Sequence, residues 1–423
     1  MPDQTQQEQN RAARGSRQNF IFALLSLCVC VTIPTTALLG SQGSFGKVND
    51  FPEFYTAAKM SAAGRGAHIY NLESLFSEEH RFFPQMQGRG LGFYIPPFAV
   101  PFLGWLSLLS ADAAYLTYMA LALAAILGSV HFLRKSFALG RTETIWLLCL
   151  LCANAPIFES LKLSQLAPFL LFSFSCSLWL AEQKKDLAAG AVLSLLLLKP
   201  QELFPLALFW LLSGRLKIIA GLAVAGVFLA AVSALFPGIA AYSTYMQLVR
   251  DSASNTIFMQ PELSATIRGQ LLRIPQLAGA ANIISLGTLT LSAGSIAWLA
   301  LVIAKKRIEL QKYGLLCAAL PLGLVSALHC HDYDLLLLTP WFIAVWKIES
   351  TDLLSKATKI SAVILFALLV VPFYIPIHYR WLLEQPQIAN PIFLAFLSAS
   401  ILSALNYKRT SIRESPATQG STP

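Results

Sequence analysis

Charge is scarce in this chain of 423 residues: Asp, Glu, Lys and Arg make up 13% of it, against 56% hydrophobic residues. A soluble globular domain carries about a quarter charged residues, so that class is excluded. The seven cysteines are an odd number, and Cys28, Cys30, Cys149, Cys152, Cys176, Cys317 and Cys330 all fall in or beside apolar stretches. That argues against a disulfide framework and for buried thiols. There is no Walker A loop, no G-x-G-x-x-G turn and no nucleophile elbow. Nothing therefore binds a nucleotide phosphate in a recognised way, which disfavours a pump or a nucleotide-sugar enzyme. No internal repeat of the kind found in inverted-repeat transporters is evident. The net charge of +9 does not point to nucleic acid, because most Lys and Arg sit in short clusters between apolar runs and read as topology signals.

Apolar runs of about 17–25 residues recur along the chain. The fold class expected is an all-α polytopic membrane protein in which one helical bundle absorbs nearly the whole sequence. Residues 1–19 form a polar cytoplasmic segment whose Arg11, Arg14 and Arg17 precede an uncleaved anchor over 20–40. An outer loop follows over 41–93. Two full crossings in 94–133 would put Arg134, Lys135 and Arg141 outside. A segment marked by Pro96, Pro97 and Pro101 that enters and leaves on one face restores the positive-inside pattern. Later spans are expected near 142–160, 165–182, 187–198, 201–212, 216–236, 280–304, 313–329, 332–348, 357–377 and 388–406. That gives about twelve transmembrane helices in a domain over 20–406, both termini cytoplasmic, and a disordered tail over 407–423.

The outer loop is too long and too aromatic to be a mere connector. Phe51, Phe54, Tyr55 and Ala58 follow an i, i+3, i+4, i+7 stripe, and Leu75, Phe76, Phe82 and Phe83 mark a second segment. Amphipathic helices of this kind are expected to lie in the membrane interface with the apolar face down. Asp50 fits two roles at the head of the first. One is a helix cap, since Glu53 three residues on makes a capping-box pattern with Pro52 in the first turn. The other is a general base where membrane meets water, and the two are compatible.

Ionisable residues inside membrane spans are functional by default. Lys199 ends a Leu-rich run just before Pro200, between two spans of about 18 Å each. It fits a phosphate ligand in a protein-lined cavity, or a snorkelling helix-end lysine. Arg268, with Ser264, Thr266 and Gly269 around it, fits a second phosphate ligand or an ordinary interfacial arginine. Gln165 is placed to hydrogen-bond a hydroxyl or phosphate, or to cap a helix end. The run His329-Cys330-His331-Asp332-Tyr333-Asp334 looks metal-binding at first sight. Residues two apart on a helix do not share a face, however, and no partner group completes a site. The reading calls for no metal and no other cofactor. These residues are expected to line the polar end of the cavity, Asp332 or Asp334 orienting a hydroxyl or capping the next helix.

Four stretches carry a resemblance to a known family: Asp50-Phe51 with Tyr55-Thr56-Ala57-Ala58, Gly66 and Ile69-Tyr70; Tyr94-Ile95-Pro96-Pro97-Phe98; Leu198-Lys199-Pro200-Gln201; and His331-Asp332-Tyr333-Asp334-Leu335. Together they resemble glycosyltransferase family 87, polytopic enzymes of the GT-C type that include polyprenyl-phosphate-mannose-dependent mannosyltransferases. The chain has Ser164-Gln165 where the family often shows Gly-Gln, and only a loose likeness around Arg268. The resemblance implies a GT-C-type bundle and an inverting transfer of mannose or another hexose from a polyprenyl-phosphate donor to a lipid or glycan acceptor. Asp50 would be the base; Lys199, Arg268 and Gln165 would hold the donor phosphate. Tyr55, Tyr94, Gln201, His331, Asp332 and Asp334 would line the substrate site. The bilayer is the remaining partner. The expected place is the bacterial inner membrane, with the site facing the periplasm. A transporter or flippase of a lipid-linked sugar is the competing class.

Overall fold

The computed structural model describes residues 49–86, 90–152, 154–254, 264–304, 312, 314–347, 353–374 and 391–413. The expected segment 1–19, the anchor 20–40 and the end of the tail lie outside them. Every regular element among the described residues is helical.

The described part of the loop expected over 41–93 contains α1 (Phe51–Ala62) and α2 (Leu72–Phe82), the second capped by Asn71, whose side chain accepts the Ser74 N–H at 2.9 Å. The stripe predicted for α1 is present, and its apolar face meets protein. Phe51, Phe54, Tyr55 and Ala58 are all buried in protein, as are Glu53, Thr56 and Ser61 on the other sides. The reason is aromatic packing: Phe51 meets Tyr115 edge-on at 5.3 Å, Phe54 meets Phe93 at 6.4 Å, and Tyr55 sits between Phe82 and Phe83 at 5.6 and 5.7 Å. Such pairs add to the apolar burial itself. The loop is pinned to the chain downstream at Gly66, where a Cβ would lie 2.0 Å from the Pro237 carbonyl oxygen, so only glycine permits the approach.

The proline-marked segment forms α3 (Ala99–Leu103) and a 3-10 turn over Gly104–Leu108, both packed against α1. Lys59 Nζ donates to the Ser107 carbonyl at 2.8 Å and Tyr55 Oη to the Leu109 carbonyl at 3.0 Å. Neither piece is long enough to cross a hydrocarbon core of about 30 Å. Ser110 caps the long helix that follows, α4 (Ala111–Ser136). Next come α5 (Arg141–Cys152), α6 (Ala155–Lys162), α7 (Ala167–Glu182), α8 (Asp186–Leu193), α9 (Pro200–Leu212), α10 (Leu216–Ser233) and α11 (Ala240–Ser254). The chain ends with α12 (Ile267–Leu272), α13 (Ala281–Ala304), α14 (Leu320–Val325), α15 (Thr339–Lys347), α16 (Leu353–Tyr374) and α17 (Pro391–Arg413). The last helix runs past the expected boundary at 406, so the tail is helical through Arg413.

Among the described residues, helices appear where spans were expected. Among the described residues three stretches are long and apolar enough to cross alone: Ala111–Ser136, Leu216–Gly238 and Ala281–Leu301. The pair Arg141–Cys152 and Pro156–Lys162, bent by 55°, makes a fourth if taken as one span. The two short spans expected over 187–198 and 201–212 meet at a break: α8 changes to a 3-10 turn at Ser194, which ends at Lys199 before α9. Non-helical backbone at membrane depth is tolerated only where protein or a cavity satisfies it, and these breaks are where the polar side chains gather. α8 and α10 cross closely, Gly190 facing the Ile218 carbonyl and Gly221 the Leu187 carbonyl, the small-residue contact typical of helices in lipid.

Candidate active site

The site begins at the head of α1. Asp50 occupies the cap position, yet its side chain makes no capping bond. The predicted capping box with Glu53 is not formed. The Asn49 carbonyl oxygen Oδ1 accepts the Phe51 N–H instead, at 3.2 Å. The Asp50 carboxylate turns away from the helix, and its Oδ2 accepts a hydrogen bond from Gln165 Nε2. Its own N–H donates to the Leu163 carbonyl at 3.0 Å, so backbone and side chain both tie Asp50 to the turn between α6 and α7. That turn is anchored from α4, where the Tyr118 hydroxyl reaches the carbonyls of Ser164 at 2.8 Å and Gln165 at 3.1 Å. Ser164 adopts φ 55°. This is the left-handed region that glycine occupies freely and other residues at a cost. The Gly-Gln pair common in the resembled family thus has a physical counterpart here, with serine in a glycine's conformation.

Burial pushes the Asp50 carboxyl up to about 6, against the opposing charge of Lys199 and the Gln165 hydrogen bond, which both lower it. Two further carboxyls stand near. Glu53 is driven well above its ordinary range by burial, then by Asp50 and Glu79, and Glu79 rises to about 8, also chiefly by burial. Glu79 Oε2 accepts the Leu91 N–H at 2.8 Å.

Across the site, Lys199 sits at the break between the 3-10 turn and α9, with φ −134° and ψ 80°. A residue before proline is held out of the helical region by the proline ring, so Pro200 both starts α9 and breaks the helix at this position. Lys199 Nζ donates to Asp334 Oδ1, lies 3.8 Å from Glu202 Oε1, and stands 4.7 Å from the centre of the Tyr333 ring. Its ammonium is already matched by carboxylate. Asp334 is fixed in turn: Oδ2 accepts the His331 N–H at 3.0 Å, and His331 and Asp334 form a capping box on the turn Asp332–Leu338. The ring of His331 packs on His329 at 4.0 Å and Tyr333 at 5.1 Å. The turn itself packs on α6 and α7, the two helices that flank Gln165.

Arg268 joins through the backbone. The Ala265 N–H donates to the Cys330 carbonyl at 2.9 Å, and Thr266 caps α12 by accepting the Gly269 N–H at 3.0 Å. The buried Arg268 guanidinium donates through Nε to Ser285 Oγ at 2.6 Å and through Nη1 to the Leu328 carbonyl at 3.3 Å.

The predicted residues thus divide. Asp50, Gln165, Lys199, His331 and Asp334 converge, with Arg268 tied to the same chain segment and Asp332 buried at the head of the turn. Gln201 is half-buried in the first turn of α9. Tyr55 belongs to the aromatic core of the outer loop, its hydroxyl spent on Leu109. Tyr94 is 36% exposed with its ring against Gly92, where a Cβ would meet it at 2.5 Å. Sequence reading missed Glu202, fully buried beside Lys199, although its i, i+3 spacing from that lysine was a usable signal. Among the described residues no three His, Cys, Asp or Glu side chains are grouped to hold a metal ion.

The family profile of glycosyltransferase family 87 matches residues 93–340, more than half of the chain. The chain belongs to glycosyltransferase family 87. It is a glycosyltransferase, and its long apolar helices make it an integral membrane protein. The matched region holds Gln165, Lys199, Arg268 and the His331–Asp334 turn, whereas Asp50 and both outer-loop helices precede it. No curated protein and no solved structure matches the chain. The transporter reading finds no support in this family.

Proposed function

We propose that this glycosyltransferase moves a hexose, mannose being the first candidate, from a polyprenyl-phosphate donor to a lipid-linked or glycan acceptor. The reaction takes place at the periplasmic face of a bacterial inner membrane and inverts the anomeric carbon. The observation that carries this reading is the Asp50 carboxylate, withdrawn from helix capping and held by Gln165. A carboxyl pushed up to about 6 is a better proton acceptor than an ordinary aspartate and is still largely ionised at neutral pH.

In the proposed step Asp50 takes the proton of an acceptor hydroxyl as that oxygen forms its bond to the anomeric carbon. The bond from that carbon to the phosphate oxygen breaks, and the polyprenyl phosphate leaves with the electron pair. Phosphate is a good leaving group, so the protein's work is alignment and charge stabilisation. Arg268 and Lys199 supply positive charge, Lys199 exchanging part of its contact with Asp334 for the phosphate. Gln165 acts on Asp50, holding its orientation, rather than on the donor.

Asp50→Asn tests the reading. The Asp50 side chain makes no capping bond that could be lost, and the amide retains an oxygen for Gln165, so folding is preserved. Transfer from a polyprenyl-phosphate sugar, at matched folded protein, is expected to fall by roughly 10²–10⁴. Transfer by Asp50→Asn at the wild-type rate would refute the assignment.

A further inference from the structure

Glu202 stands fully buried in the first turn of α9, three residues after Lys199. That spacing puts the two side chains on one face, and Glu202 Oε1 lies 3.8 Å from Lys199 Nζ. Neither carboxyl oxygen of Glu202 has a hydrogen-bond partner among the described residues. Lys199 gives its own hydrogen bond to Asp334 Oδ1, and Asp334 Oδ2 accepts the His331 N–H. Two buried acids therefore flank one ammonium, and only Asp334 is bonded to it. One ammonium neutralises one carboxylate. A second buried carboxylate with no N–H or O–H to accept would be strongly disfavoured. It would also give this corner of the site an excess of negative charge, against any phosphate that Lys199 is to hold. An acid so placed is stable as the neutral carboxyl, and a neutral carboxyl has an O–H to give. The alternative, an ionised acid complementing the positive start of α9, suits a solvated helix end and not a buried one.

We propose that Glu202 is a catalytic residue that keeps its proton and donates a hydrogen bond to the departing phosphate beside Lys199. The proposal rests on the polyprenyl-phosphate reading for the identity of the anion. Beyond that reading, it assigns a neutral donor to the charge that develops on the leaving group. When the bond between the anomeric carbon and the phosphate oxygen breaks, the electron pair goes to that oxygen. A singly charged phosphodiester becomes a doubly charged monoester. A hydrogen bond to that group strengthens as the charge grows, so it lowers the barrier more than it tightens substrate binding. The Glu202 proton stays on the carboxyl throughout, and the acceptor's proton goes to Asp50.

Two substitutions of similar volume separate the roles. Glu202→Gln keeps a neutral side chain with an N–H to donate, and Glu202→Met keeps the bulk without a donor. At matched folded full-length protein, with an isoprenyl-phosphate sugar, Glu202→Met should lose about ten- to a hundredfold in kcat, with the donor KM within about threefold. Glu202→Gln should stay within about threefold of wild type in both. Equal losses in the two variants, or wild-type kcat in Glu202→Met, would overturn the proposal. A second readout needs no sugar transfer. The infrared difference spectrum of wild type minus Glu202→Gln should show the carbonyl stretch of a protonated carboxyl at neutral pH. That band should shift on adding isoprenyl phosphate without sugar, and not on adding inorganic phosphate. Carboxylate bands in its place, or a band that isoprenyl phosphate leaves unmoved, would equally overturn the proposal. The shift in a protein that transfers no sugar from isoprenyl-phosphate donors would leave this inference standing and sink the proposed donor.

Discussion

Two apolar helices of this enzyme bury themselves in different solvents. The stretch Leu216–Gly238, containing α10, has the highest mean hydropathy of the three long spans, 2.5, and only 17% of it is buried in protein. Helix α1 carries Glu53, Thr56, Lys59 and Ser61 among its apolar residues, yet protein surrounds it on nearly every side. In a membrane protein the greasiest helix is the one that faces lipid, because lipid costs an apolar side chain nothing. The mixed helix goes inside, where aromatic packing and polar partners are supplied by neighbours. Function follows the same division: Asp50 heads the buried mixed helix, and Lys199 sits where a span breaks.

The comparison is sharpened most by a matched pair of truncations. Phe54 is 1% exposed and Phe228 66%. Phe54→Ala should cost about 3–5 kcal/mol through its cavity, and Phe228→Ala under about 1 kcal/mol. Thermal unfolding in detergent ranks them, and equal losses would mean that α1 is not core. Next in size is Lys199→Ala. Removing a charge-assisted contact should lower kcat/KM by about ten- to a hundredfold. Because Lys199 and Asp334 act as a pair, adding Asp334→Asn should cost little more. Additive losses would separate the two residues. The smallest effect belongs to Ser164→Gly, which relieves a left-handed serine and should stabilise the fold by about 1 kcal/mol with transfer unchanged. A destabilised Ser164→Gly would show that the turn needs the serine side chain.

The long apolar helices Ala111–Ser136, Leu216–Gly238 and Ala281–Leu301 were legible in the sequence because hydropathy reports contact with lipid directly. The breaks were legible too: Pro200 announces the one at Lys199, and Pro96, Pro97 and Pro101 announce the short pieces of α3. What α1 packs against was not legible. An amphipathic stripe looks the same whether its apolar face meets lipid or protein, and the partners Tyr115, Tyr118 and Phe93 come from elsewhere in the chain. The fate of the Asp50 side chain was hidden for the same reason. A capping box is a local pattern, and it loses here to Gln165, which lies 115 residues away. Glu202 was visible in principle, three residues after Lys199, but nothing local distinguishes it from a solvated helix-start acid.

The central claim, that Asp50 serves as a base and not as a cap, is tested most directly by the pH dependence of transfer. Its carboxyl is raised by burial, from an ordinary 3.8 to about 6, so the sign is fixed. Protonation on acidification removes the base, while ionisation as pH rises restores it at some cost in stability. The wild-type kcat/KM should therefore fall about tenfold per pH unit below about 6 and level off above it, with the folded fraction held or improved on the acid side. A profile flat from about pH 5 to 7.5, in protein that remains folded, would contradict the account.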